Sequence, residues 1–431
     1  MIRLTGSALA LVAALAISFQ AQAATTPDRM NLTLVGHSDL NGAGKGGEGL
    51  ALKNYGRRKV LFLAHESAPL CLSIIDVTTP ARPVVLKQVP VEADFIRCNS
   101  LALSGDTLVV ARQSEKQGQP HGGIKTYDVS ELGEAKLLSY MDLTGPSSRG
   151  THYLTFTDGR YAYLATGASD FIPKNPNDDQ MLMIVDLQDP VHPKEVARWW
   201  MPGTRVGDEA PAPPRVSPFD SGFRLHTPLV PVERPDRVYM GWIDGGIVIL
   251  DIADKTKPRQ VANISWQSLH GGFMHTVLPL VDRGLLIASQ ESTKEACKDW
   301  PMQVTVVDIQ DETRPYPVSV MPPPANRAQL CAGGGRFGAH NINQNNMPEV
   351  SRVLKNTVVT AQFGGGIRIY SIANPNAPVE LAWFAPKVAG NKGGAMQMND
   401  LIVGSDGLIY GNDRFTGGLY ILKYTGRVPL N

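Results

Sequence analysis

Short apolar runs, each leaving through a polar residue, recur along the whole chain: LSIIDV (72–77), IKTYDV (124–129), MIVDLQDP (183–190), IVILDI (247–252), VTVVDI (304–309), IRIYSI (367–372) and LYILKY (419–424). β-Branched and aromatic residues dominate them and Pro-containing turns follow several, the pattern of a strand leaving a sheet through a tight bend. The closing positions Asp76, Asp128, Asp186, Asp251, Asp308, Ser371 and Lys423 stand 52 to 65 residues apart, room for four short strands with variable loops. Seven such units in tandem predict an all-β fold, a seven-bladed β-propeller.

Stepping back from each run finds the innermost strand of each blade: 48–52, 98–103, 152–156, 226–230, 275–279, 340–343 and 398–402. Second strands follow short turns, as in VLFLA (60–64) and YAYLA (161–165), and outer strands follow the Pro turns, as in PVVL (83–86). The seventh unit has no outer strand of its own, whereas LTLV (32–35) precedes the first unit unassigned. The N-terminal strand is therefore expected to complete the last blade and remove an open sheet edge.

Residues 1–23 combine Arg3, an apolar core and Ala21-Gln-Ala23, the features of a secretory signal peptide, so the mature chain is expected to start near Ala24 as one domain, 24–431. No later stretch is apolar for long enough to span a bilayer, so a periplasmic or secreted protein is expected. With 41 basic and 40 acidic residues and no basic run, nothing grips nucleic acid or an anionic membrane. Four cysteines in an exported chain suggest two disulfides. The repeat places Cys71 near Cys98 and Cys297 near Cys331, with free metal-binding thiols as the rival reading.

The IVDLQDP type of phrase resembles the LVIVD-repeat propellers, a family of exported bacterial and archaeal proteins, over nearly the whole mature chain. That resemblance implies fold and export, and no particular reaction. Ser371 and Lys423 depart from its Asp pattern.

Loop lengths are asymmetric. The approaches to the inner strands (203–223, 322–338) and the loops between second and third strands (113–122, 168–180, 290–301) are long and share one face, where function is expected. One repeat position on that face reads Glu48, Cys98, His152, His226, His275, His340 and Met398 around the ring. The histidines His152, His226, His275 and His340 suit a transition metal ion, copper, iron or zinc. A non-metal ligand site or a water-filled structural channel would use the same residues. Glu48 and His65 are candidate catalytic groups, Glu48 as a general base, and Arg112, Gln290, Gln362, Asp413 and Arg414 are candidate ligand contacts. Histidines around a propeller axis are similar in architecture to the metal sites of carotenoid oxygenases and of the selenium-binding protein/methanethiol oxidase family, which would imply oxidative chemistry. His121 and His192 read as surface residues, and His270 as structural or supporting. The glycine-rich stretch 42–47 lacks the Gly-Lys-Ser/Thr ending of a phosphate loop. Two functions follow: a metal- or small-ligand-binding propeller supporting oxidation or hydrolysis, or a non-catalytic scaffold for an envelope protein or glycan.

Overall fold

The aspartate that closes the third strand in blades one to five holds the turn after it. In the computed structural model, which describes residues 28–217, 219–266, 272–299, 302–347 and 349–431, an Asp Oδ1 accepts from the backbone N–H two residues on. The distances are 2.8 Å at Asp76, Asp128 and Asp186 and 2.9 Å at Asp251 and Asp308. Ser371 Oγ makes the same bond at 3.4 Å. Each turn returns the chain as an outer antiparallel strand, and in the first six blades the register slips by a bulge shortly before the turn, for example between Ile184 and Val185. A bulge adds twist, which suits the edge of a blade.

Four-stranded antiparallel blades repeat around the ring. Blade one is Gly46–Tyr55, Arg58–His65, Leu70–Asp76 and Val84–Pro90; blade two is Leu101–Ser104, Thr107–Ser114, Gly123–Asp128 and Lys136–Asp142. Blade three is Thr151–Phe156, Tyr161–Thr166, Met181–Asp186 and Lys194–Trp199; blade four is Thr227–Leu229, Arg237–Trp242, Gly246–Asp251 and Arg259–Ile264. Blade five is Met274–Leu280, Leu285–Gln290, Val304–Asp308 and Tyr316–Val320. Blade six has Thr357–Ala361, Ile367–Ser371 and Val379–Phe384, and blade seven Met398–Val403, Leu408–Asp413 and Leu419–Tyr424. The ring closes as expected: Leu32–Ser38 pairs antiparallel with Leu419–Tyr424. Arg29–Met30 adds a short strand to the edge of blade six, which sequence reasoning did not foresee.

The inner strand expected at 340–343 is a correction. It is reduced to an isolated bridge between Ile342 and Thr360. Here asparagine side chains compete for the backbone. Asn343 Oδ1 accepts from Val403 N at 2.9 Å and Asn345 Oδ1 from Leu354 N at 3.0 Å, drawing the chain away from a regular ladder.

Seven buried apolar clusters form the core, one between each pair of neighbouring blades. Alternation along a strand sends side chains into two of them: Leu61 and Leu63 pack toward blade seven, whereas Phe62 and Ala64 pack toward blade two. Inner and middle strands are thus apolar on both faces, which is why their sequences run without polar interruption. Cys71–Cys98 and Cys297–Cys331 are disulfide-bonded, as expected, and no cysteine is free. Among the described residues no helix is long and apolar enough to cross a membrane. The expected signal peptide, 1–23, and His270 lie outside the described residues.

Candidate metal centre

Bulges aim the axial side chains. In the inner strands the register with the second strand skips between Thr151 and Tyr153, between Met274 and Thr276, and between Gly46 and Leu50. The residues passed over are His152, His275 and the Gly-Glu48-Gly triplet. A residue outside the ladder is freed from the alternation of the strand and can turn to the axis. Gly47 and Gly49 permit the approach of Glu48, because a Cβ on them would lie 2.6 Å from Asn99 O and 2.3 Å from Leu101 N. His226 stands just before its strand, tied by its N–H to Gly241 O at 2.8 Å. In blade seven the skipped residue is Asn399, between Met398 and Asp400, so Met398 enters the core between blades six and seven and Asn399 takes the axial station. Cys98 likewise packs in the core, beside its disulfide partner.

Glu48 sits at the centre of the histidines. Glu48 Oε2 lies 3.3 Å from His275 Nε2 and 3.9 Å from His226 Nε2, and Glu48 Oε1 lies 3.7 Å from His340 Nε2. His152 and His226 bring their Nε2 atoms within 2.8 Å of each other. Glu291 joins from the second strand of blade five, 3.9 Å from His340 Nε2. All six groups are at least nine-tenths buried. Their donor atoms form overlapping sets in which every atom lies within 4.8 Å of the others: Glu48 with His152 and His226, Glu48 with His275 and His340, and Glu291 with His226 and His275.

The far nitrogens fix the tautomers. His340 Nδ1 lies 2.6 Å from the main-chain oxygen of Asn399, which can only accept, so that nitrogen carries the proton. His152 Nδ1 lies 2.9 Å from Gln113 Oε1 and 3.2 Å from Arg97 Nη2. His275 Nδ1 contacts Thr276 Oγ1 at 2.7 Å, and that hydroxyl in turn donates to Asn341 Oδ1 at 3.3 Å. His226 Nδ1 lies 3.0 Å from Thr227 Oγ1. Lone pairs of Nε2 atoms therefore face a carboxylate, and Glu48 Oε2, His275 Nε2 and His340 Nε2 are buried without a hydrogen-bond partner.

Burial lowers the basicity of His152, His226 and His275, and for His152 and His226 nearby positive groups push it well below the usual range. Burial acts to raise the Glu48 carboxyl, and N–H donation or positive charge at His275 and His340 would outweigh it and hold Glu48 well below the usual carboxylate range. Imidazoles around a carboxylate are a donor set that suits a cation. The donor separations of 2.8, 3.3, 3.7 and 3.9 Å fit inside a coordination sphere. Two ligands at 2.0–2.1 Å from one ion lie about 2.9 Å apart at a right angle and about 4 Å apart across it.

The channel is blind on the opposite face. Gln344 hydrogen-bonds Tyr153 OH, Asn346 Nδ2 donates to Gln344 Oε1 at 3.0 Å, and only a 20 Å³ cavity remains beneath Glu48, room for about one water. Asp400 lines that cavity, its carboxyl pushed well above the usual range by burial.

The other sequence candidates lie elsewhere or in supporting positions. His65 accepts at Nε2 from Ser73 Oγ at 2.7 Å and is not among the converging donors. Arg112 is buried against His121 O, Cys98 and Glu92. Gln290 Nε2 donates to Gly272 O, Gln362 Nε2 to Thr360 and Tyr370, and Asp413 closes a loop by accepting from the N–H groups of Gln397, Phe415 and Gly417. Arg414 does reach the mouth of the pocket, bonding Glu66 Oε1 at 2.5 Å. There it joins Arg97, Arg149, Arg224 and Arg336, none of which sequence reasoning singled out. Arg224, which has no acidic partner among the described residues, is pushed down to about 10 by burial and by Arg149. The available signal was position: Arg97, Arg149, Arg224 and Arg336 each precede an axial column residue by one to four places.

No family model matches the chain and no curated protein matches it. Solved structures do. The periplasmic gluconolactonase PpgL of Pseudomonas aeruginosa aligns with a TM-score of 0.55 at 11% identity, covering 86% of this chain and 97% of that one. The β-propeller domain of Cps50 (Swd1) from Myceliophteria thermophila aligns with a TM-score of 0.54 at 12% identity, covering 91% and 99%. A Lactobacillus plantarum protein gives 0.52 at 13% identity, covering 85% and 95%. At these identities the likeness is one of fold: the chain is a seven-bladed β-propeller, similar in architecture to proteins of dissimilar description.

Proposed function

We propose that the protein is an exported metal-binding propeller whose axial pocket holds one transition metal ion, iron, copper or zinc, through Glu48 and histidines drawn from His152, His226, His275 and His340. The observation that carries this reading is the set of buried, unpartnered acceptors facing one another: Glu48 Oε2, His275 Nε2 and His340 Nε2. Confronted lone pairs in a dry pocket are costly unless a cation lies between them. Such an ion would supply Lewis-acid or redox chemistry for the oxidation or hydrolysis of a small molecule. The chain itself supports that role. Gln113, Thr276 and Asn399 hold the imidazoles by their far nitrogens, and the Gln344 plug excludes solvent from below. A blind pocket favours a small molecule over an envelope protein or glycan docked on the face. The two disulfides fit an exported protein.

The test is elemental analysis of untagged protein from its exported compartment, repeated for His226→Ala with circular dichroism as the folding control. One ion per chain in the wild type, lost in a folded His226→Ala, supports the reading. Metal-free wild type that also fails to take up iron, copper or zinc would end it.

A further inference from the structure

Five arginines from five blades converge on the mouth of the axial pocket: Arg97, Arg149, Arg224, Arg336 and Arg414. Their salt bridges use three carboxylates. Glu66 is shared by Arg97 and Arg414, Asp179 binds Arg149 and Glu291 binds Arg336, so five positive charges meet three negative ones, an excess of two (5 − 3). Arg224 alone of the five has no carboxylate partner among the described residues. Its Nε and Nη1 donate to Ser221 O at 3.1 Å and Gln180 Oε1 at 2.8 Å.

Two amides extend the bias. Gln113 Oε1 accepts from Arg97 and Gln180 Oε1 accepts from Arg224, which leaves both Nε2 groups as buried donors without a hydrogen-bond partner. Arg149 and Arg224 line an open cleft of 530 Å³ with Lys116, Lys294 and Phe273. Two of the carboxylates on its wall, Asp179 and Asp220, are already engaged by Arg149 and Arg215. A guanidinium fork lacking an acid matches a planar or tetrahedral oxyanion.

We propose that this cleft recognises a small-molecule oxyanion, a carboxylate or a phosphate, gripped by Arg224 and Arg149 with the rest of the molecule directed toward the axial imidazoles. The direction of that remainder rests on the metal reading above; the grip itself does not.

Calorimetric titration of the mature protein in low-salt buffer, as isolated and after chelation, with inorganic phosphate, succinate and neutral succinamide tests this. At least one anion should bind and succinamide should not, the anion that binds identifying the group. Arg224→Gln should weaken that binding at least about tenfold, and added salt should weaken it in the wild type. Anion binding by protein that is isolated without metal and takes up no iron, copper or zinc would sustain the oxyanion site and remove the metal reading. No binding of either anion by protein in either state, equal binding of succinamide, or unchanged affinity in folded Arg224→Gln would overturn the proposal. If Arg224→Gln does not fold, the exposed pair Lys116→Gln/Lys294→Gln must weaken binding at least about threefold, and unchanged affinity there would overturn it equally.

Discussion

His340 Nδ1 donates to the main-chain oxygen of Asn399 across 2.6 Å, and this bond between blades six and seven holds the ring so that Nε2 faces Glu48, 3.7 Å away. The partner is backbone, so no single side-chain change at Asn399 releases the ring.

The supporting contact on His275 can be removed. Thr276→Val keeps the β-branched shape but deletes the hydroxyl 2.7 Å from His275 Nδ1. Metal affinity, measured by competition with a chromophoric chelator, is expected to fall by roughly 10–100-fold, with thermal stability little changed. An unchanged affinity would mean that His275 is not a ligand.

Glu48→Gln should have opposite effects in the two states. Without metal, the substitution replaces a buried carboxylate that faces imidazole lone pairs by a group with an N–H donor, and the apo-protein is expected to gain about 1–3 kcal/mol in urea unfolding. With metal, it removes the anionic ligand nearest the histidines and should lower the stabilisation that added metal confers. A loss of stability in both states would assign Glu48 a purely structural role.

Acid sensitivity should trace partly to His65. Burial depresses its pKa to about 4 from an ordinary 6.5, against smaller raising contributions from hydrogen bonds to the backbone of Gly44 and Lys45. A depressed imidazole binds no proton in the folded state while the unfolded chain takes one up, so its stability contribution is intact above pH 6.5 and is lost as pH falls toward 4. That window is worth about 3 kcal/mol. Denaturant curves at pH 7 and pH 4 should show His65→Gln losing less stability between them than the wild type; parallel losses would contradict it.

The disulfides close loops of similar size, with sequence separations of 27 and 34. Loop-closure entropy predicts a cost of about 3–4 kcal/mol for removing either. Cys71→Ser/Cys98→Ser and Cys297→Ser/Cys331→Ser should therefore lower the urea midpoint by comparable amounts. A large gap between them would show that packing around one bridge, such as Arg112 against Cys98, outweighs the entropy term.

The blades were legible in the sequence because each third strand ends on a side chain that makes the next turn, a local bond that leaves a local trace. The axial site was legible where a bulge coincided with a histidine. It was misread by one place at Cys98 and Met398, since nothing in a strand apolar on both faces reveals where the alternation skips. The same one-place parity separates Arg112 from Gln113 and Asp413 from Arg414: the first of each pair turns into the blade and the second to the mouth. Four of the five arginines, Arg97, Arg149, Arg224 and Arg336, stayed hidden because they stand at unequal distances before the column, on approach loops whose paths depend on contacts with other blades.

Leu32–Ser38, which zips the ring shut against Leu419–Tyr424, is the first blade strand in the chain and finds its neighbour only when the last has been made. A chain emerging from its N-terminus can stack blades one after another, yet it carries an unmatched edge until its final strand appears. Closure is then the longest-range pairing in the molecule and a slow one to reach. The axial pocket, which takes donors from blades one and six on either side of that seam, can come into register only after it.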